Sequence, residues 1–224
     1  MEANSAIRTL YLIGPSSTGK STLFHAIVKD MGLDLGQCIT EVARTVMKNT
    51  GFSRETVGDI GMQRAIMIAQ LEQEHVARSV AGGGTVRVVL SDRSALDPVA
   101  YAVLTAANED DARERMRVLV NTPEFQAALS RYREGTFILF KPMPEWLVDD
   151  GVRSVEKQGE VFEVFHGVLK ELGIPYVELG EEIKDLQARV AFATGLIDPS
   201  GTNAPLLENG TMTLISWFLA GVKL

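Results

Sequence analysis

Short apolar runs alternating with amphipathic stretches predict an α/β fold in three layers, a parallel sheet covered by helices on both faces. Thr85-Val86-Arg87-Val88-Val89-Leu90 is the clearest strand, β-branched and nearly all apolar, as a strand buried on both faces must be. Leu10-Tyr11-Leu12-Ile13 is a second, and it runs straight into a glycine-bounded loop and then a helical stretch through Lys29. With 46% hydrophobic residues over 224 positions, the chain has enough apolar surface for one such domain, expected over 7–197, with a tail over 198–224.

The remaining elements follow in order. Leu35–Ile39 reads as a short second strand and Glu41–Asn49 as a helix stopped by Thr50-Gly51. Ser53-Arg54-Glu55-Thr56 can cap a long helix over Glu55–Val80, with Ile60, Gln63, Ile66, Met67, Gln70 and Leu71 on one stripe. Gly82-Gly83-Gly84 ends it. After the central strand come helices over Ala95–Ala107, Asp110–Val120 and Pro123–Arg133, then a strand at Phe137–Phe140. A helix over Glu160–Leu172, a strand at Tyr176–Leu179 and a helix over Ile183–Ala193 complete the domain. From Pro199 the alternation stops. The tail ends in the apolar run Leu214–Val222, too short for the roughly 20 residues of a membrane span and suited to packing on the domain or to contact with a protein or lipid partner.

The loop Gly14-Pro15-Ser16-Ser17-Thr18-Gly19-Lys20-Ser21-Thr22 fits G-x-x-x-x-G-K-[ST] at each required position. Between a strand and a helix, its glycines let backbone N–H groups turn inward around phosphates, and the helix start adds its positive dipole end. Lys20 is then placed for the β- and γ-phosphates of a nucleoside triphosphate and the Ser21 hydroxyl for Mg²⁺. The sequence reads as an ATP binder with GTP possible, since no N-K-x-D guanine-reading motif is present.

Three further groups carry candidate chemistry. Asp92, in Ser91-Asp92-Arg93-Ser94 at the end of the central strand, points toward the loop; it either holds Mg²⁺ or accepts the proton of an attacking hydroxyl, or else caps the next helix. Glu145–Ser154 places two acids, a glycine and Arg153 between a strand and a helix. It reads either as a lid whose arginine neutralises a transferring phosphoryl group or as a capped turn. Glu41 and Arg44, three apart, either line an acceptor site or form a helical ion pair.

Composition excludes other classes. With 22 basic against 29 acidic residues the formal charge is −7, which disfavours broad attraction to nucleic acid. Cys38 is the sole cysteine, so no internal disulfide or thiolate cluster can form, and His25, His75 and His166 show no ligand spacing. With neither a signal-like N-terminus nor a membrane-length apolar run, the expected compartment is the cytoplasm.

Taken together, GPSSTGKST at 14–22, TEVAR at 40–44, the glutamine-bearing helix near Gln63, SDRS at 91–94, EWLVDDGVRS at 145–154 and IPYVEL at 174–179 resemble the P-loop NTPase domains of NadR type, related to ribosylnicotinamide kinase and grouped as small AAA-type ATPase domains. The resemblance implies a nucleoside- or nucleotide-kinase-like fold with a five-stranded parallel core. It implies Lys20, Ser21 and Thr22 at the triphosphate and Mg²⁺, Asp92 beside the acceptor hydroxyl, Arg153 in the lid, and Glu41 and Arg44 at the acceptor. Asp92-Arg93-Ser94 lacks the second acid of the riboside kinases and looks like the Asp-Arg motif of thymidylate and deoxynucleoside kinases, which adds Arg93 to the substrate-binding set. Two functions are compatible with these marks: a kinase for a small hydroxyl acceptor, or a nucleotide-dependent switch that recognises a protein or phosphoinositide.

Overall fold

The computed structural model describes residues 6–146 and 155–197, together with Thr211 and Met212. Five parallel strands form the sheet: β1 (Arg8–Ile13), β2 (Cys38–Ile39), β3 (Val88–Asp92), β4 (Thr136–Phe140) and β5 (Tyr176–Leu179). A two-residue strand that the sequence did not announce, β6 (Thr211–Met212), pairs with the outer edge of β5, giving the order β2-β3-β1-β4-β5-β6.

Side chains alternate across the sheet with period two, which fixes what each face buries. Leu10 and Leu12 of β1, Leu90 of β3 and Phe140 of β4 face α1 (Lys20–Met31) and α8 (Leu186–Gly195), meeting Leu23, Ile27 and Val190. Tyr11 and Ile13 face the other way, toward α3 (Ile60–Gly83), α4 (Leu96–Leu104), α6 (Pro123–Glu134) and α7 (Val155–Leu172). α2 (Val42–Asn49) and α5 (Glu109–Val120) pack outside this layer, on α3 and α4 respectively. The result is a three-layer sandwich with its core on both sides of β1.

Several boundaries move from the sequence reading, each for a local reason. Leu35–Gln37 is a 3₁₀ turn, because the Asp34 carboxylate accepts from Gly36 N–H at 2.7 Å and captures the residues that were expected to extend β2. Ser53 caps only the 3₁₀ turn Arg54–Thr56, and the long helix starts at Ile60, capped by Asp59, whose side chain accepts from Gly61 and Met62 N–H. That helix then continues through two glycines to Gly83. α8 likewise begins after Asp185, which accepts from Ala188 N–H, rather than at Ile183. α4 stops at Leu104.

The shift that matters for function is in β3. Thr85–Arg87 lie outside the strand, which ends at Asp92 instead of Leu90. Pairing of Leu12 with Asp92, and the bond from Arg93 N–H to Leu12 C=O at 3.0 Å, bring Asp92 level with the carboxyl end of β1. β1 and β3 are neighbours whose onward connections leave to opposite sides of the sheet. This is the switch point where parallel α/β sheets open a crevice at their carboxyl ends.

Candidate phosphate-binding site

The loop between β1 and α1 has the conformation its glycines permit. Gly14 has φ +119°, and a Cβ there would lie 2.8 Å from the Phe140 carbonyl oxygen. Gly19 has φ +88° and sits so close under Trp146 that a Cβ would lie 2.7 Å from the indole. Neither position has room for a side chain. Gly19 precedes α1 without any side-chain cap, and no acid occupies the first turn, so no side chain of the helix's own first turn competes for its N–H groups.

Donors from the loop itself and from two distant helices hold the loop's carbonyls. Pro15 C=O accepts from the Lys20 ammonium and from Thr18 Oγ1, the latter at 3.0 Å. Ser16 C=O accepts from Gln158 Nε2 of α7 at 2.7 Å, and Thr18 C=O from Arg189 Nη1 of α8 at 3.1 Å. In a trans peptide the N–H points opposite the C=O, so these bonds aim the amides of Ser16, Ser17 and Gly19 away from the donors. Gln158 and Arg189 lie 142 and 171 residues from their loop partners, and no motif in the sequence points to either.

Lys20 is buried at 5% exposure, bonded within its own loop, with its ammonium 5.9 Å from the Phe140 ring centre. Burial, reinforced by the nearby Arg93 charge, lowers its pKa to about 7, against the opposing pull of Asp92 and Asp97. Ser21 Oγ donates to Asp92 Oδ2 at 2.6 Å across 71 residues of sequence. A hydroxyl and a carboxylate meeting at the mouth of the loop are hard oxygen donors of the kind Mg²⁺ takes, so these residues fit that ion. Thr22 occupies an exposed position one residue further along α1.

Beyond Asp92, the chain turns through Arg93 at φ +91°. Ser91 Oγ, which accepts from Gln70 Nε2 at 3.0 Å, donates to Arg93 C=O at 2.7 Å and holds that turn. The Arg93 guanidinium bonds to Asp97 Oδ1 at 2.7 Å; burial opposes its charge, but Asp97, Tyr101 and Asp92 together raise its pKa above the ordinary arginine value. Asp97 is thus an acid near Lys20 that the sequence reading missed. It lies five residues after Asp92, on the first turn of α4, and Ser94 N–H is bonded to it as well.

Glu41 and Arg44 form the i, i+3 ion pair at 2.8 Å, both well exposed, at the carboxyl end of β2. Gln63 is absorbed by the fold, buried and donating to Val57 C=O at 2.6 Å. Among the described residues, three non-glycines have positive φ: Ser17 at 60°, Glu41 at 58° and Arg93 at 91°. They follow the carboxyl ends of β1, β2 and β3, so backbone strain collects along one rim of the sheet, as it does at functional sites. Arg153 and the rest of the expected lid at 147–154 lie outside the described residues, as does the apolar run Leu214–Val222. No described helix is long and apolar enough to cross a membrane.

The geometry has counterparts. The structure of NadR protein in complex with NR superposes with a TM-score of 0.62 at 18% identity, covering 90% of this chain and 53% of that one, so the chain spans about half of NadR. Deoxyadenosine kinase from M. mycoides with bound dATP superposes at 0.51 with 15% identity, covering 84% of this chain and 98% of that one. The same enzyme with dCMP and dCDP gives 0.51 at 14% identity, with the same coverage. In sequence, the shikimate kinase of Baumannia cicadellinicola subsp. Homalodisca coagulata is 24% identical over 164 residues, covering 69% of this chain and 91% of that protein. The parallel sheet with helices on both faces is therefore a P-loop kinase-like fold. A family model described as AAA domain matches residues 9–189, nearly the whole of the domain built around this loop, and the chain belongs to that AAA-domain family.

Proposed function

We propose that the protein is a Mg²⁺-dependent kinase that moves the γ-phosphoryl group of ATP to a hydroxyl of a nucleoside-like or other small acceptor. The observation that carries this reading is the 2.6 Å bond between Ser21 and Asp92, which puts a carboxylate beside the phosphate loop at the sheet's switch point. Matches to proteins named as kinases, shikimate kinase and deoxyadenosine kinase, support the same class.

Each residue has a task. The amides of Gly14, of residues 16–19 and of the first turn of α1 cradle the phosphates, and Lys20 leaves its loop carbonyl to meet the β- and γ-phosphates. Ser21 and Asp92 hold Mg²⁺, which when bound supplies positive charge to the phosphate oxygens. Asp92 also orients the acceptor hydroxyl and takes its proton as the acceptor oxygen bonds to the γ-phosphorus and the β–γ bridging bond breaks. Arg153 neutralises the charge on the transferring group from the lid. Glu41, Arg44 and Arg93 line the acceptor side. Two strand spacings separate the end of β2 from β1, about 10 Å, a span that suits a nucleoside-sized molecule.

The site of action on this reading is the cytoplasm, and nucleic acid is not among the partners. The test is ADP release from ATP, and from GTP in parallel, with a panel of nucleosides, vitamins and shikimate-like hydroxy acids. Release that depends on one acceptor supports a kinase. Slow hydrolysis indifferent to each acceptor, with protein or lipid binding that differs between triphosphate and diphosphate states, would favour a switch working through its C-terminal segment.

A further inference from the structure

Among the described residues Arg189 is the largest fully buried side chain, 1% exposed, and it comes from α8, far in sequence from the loop it touches. Three of its five N–H donors go to backbone carbonyls, Nε to Ile183 at 2.6 Å, Nη2 to Gly180 at 2.7 Å and Nη1 to Thr18 at 3.1 Å, and Nη2 also reaches Met143 Sδ at 3.8 Å. The guanidinium stacks on Trp146 at 4.4 Å from the ring centre and lies 5.8 Å from the Phe140 ring, which Lys20 approaches at 5.9 Å. Among the described residues no carboxylate comes within ion-pair distance of it. Burial accordingly lowers its pKa, with Glu182 offsetting only part of the effect.

A buried cation satisfied by dipoles but not by a counter-charge is costly, and buried arginines are normally paired. The contact with Thr18 indicates where the missing charge belongs. The carbonyl of the Thr18–Gly19 peptide faces Arg189, and the N–H of that same peptide faces the opposite side, into the loop. A charged donor on the carbonyl makes the amide a stronger donor, since hydrogen bonds in series polarise one another.

We propose that Arg189 is a positioning residue for the phosphates: it sits behind the loop, polarises the Thr18–Gly19 amide, and has its charge balanced by a bound triphosphate. The proposal rests on the reading that the loop takes a nucleoside triphosphate. A purely structural role, stapling α8 to the loop, makes a different forecast, because it depends on the shape of the side chain rather than its charge.

Arg189→Lys keeps the charge and loses the fork; Arg189→Gln keeps a hydrogen-bonding head and loses the charge. Affinities for ATP, ADP and AMP are measured by calorimetry with Mg²⁺, AMP by displacement of ATP. The expected result is that R189K stays within about threefold of the wild type for ATP. R189Q loses about tenfold or more for ATP, less for ADP, and under about twofold for AMP. ATP binding by R189Q at the wild-type level, equal losses for ATP and AMP, or R189K as impaired as R189Q would each overturn the proposal. If R189Q does not fold, R189K decides: an ATP-to-AMP affinity ratio kept within about threefold of the wild type supports the role, and a collapsed ratio refutes it. Wild-type protein that binds none of the three nucleotides is a separate failure, that of the triphosphate reading itself.

Discussion

Binding of a triphosphate should draw a proton from solution, and the amount follows from Lys20. Its pKa in the free protein is about 7, against an ordinary 10.5, because the ammonium is buried beside Arg93. Phosphate oxygens placed against it favour the charged form and return the pKa to its ordinary range or above. At pH 8 a group with a pKa of 7 is about one-tenth protonated, so binding takes up about 0.9 proton; at pH 6 it takes up about 0.1. Affinity should therefore fall about tenfold per pH unit above 7, where the terminal phosphate, with its second pKa near 6, is already ionised. Calorimetry in two buffers of different ionisation enthalpy measures the uptake directly. The free protein should show the matching trend in stability. Between pH 7 and 10.5 the unfolded chain holds more of the Lys20 proton, so this group's contribution makes the fold more stable as pH rises through that window. Buffer-independent heats at pH 8, or the same uptake in Lys20→Ala, would refute the reasoning.

Other consequences can be checked with single substitutions. Asp92→Asn should leave ATP binding without metal near the wild-type level, remove the strengthening by Mg²⁺ and cut phosphoryl transfer roughly a hundredfold or more, as titrations with and without metal and rate assays would show. Gly14→Ala forces a Cβ against the Phe140 carbonyl at φ +119° and should cost about 3 kcal/mol, read by denaturant titration as a lower midpoint at unchanged slope. Glu74 is wholly buried between Tyr11, Tyr132, Gln70 and Arg131, and burial raises its pKa from 4.5. The folded state then holds its proton to higher pH than the unfolded chain, so wild-type stability declines as pH rises from 4.5 through the raised value. Glu74→Gln should flatten that decline in thermal scans across the same range.

What the sequence made legible was local. The phosphate loop, β1 and the places of the other strands along the chain could be read because each depends on a short pattern: glycine spacing, a β-branched run, a capping residue. Asp92 was found because a strand end beside that loop is a place the topology dictates. The Asp34, Asp59 and Asp185 caps shifted boundaries by a few residues because each carboxylate accepts from backbone N–H groups two or three residues on and so sets where the turn or helix begins. Contacts between distant segments were not legible. Gln158 and Arg189 carry no motif, and only the packing of α7 and α8 against the sheet brings them to Ser16 and Thr18. Glu74 resembled any polar position on a long helix, yet it lies under the sheet at 0% exposure. Asp97 hid as an ordinary first-turn acid until the fold put it near Lys20.

The most direct test of the account is a titration of the purified protein with ATP, with and without Mg²⁺. Saturable one-to-one binding that tightens with the metal, and is lost in Lys20→Ala of unchanged fold, is the predicted result. Folded protein that takes up neither ATP nor GTP, or binds them with no response to Mg²⁺, would contradict it.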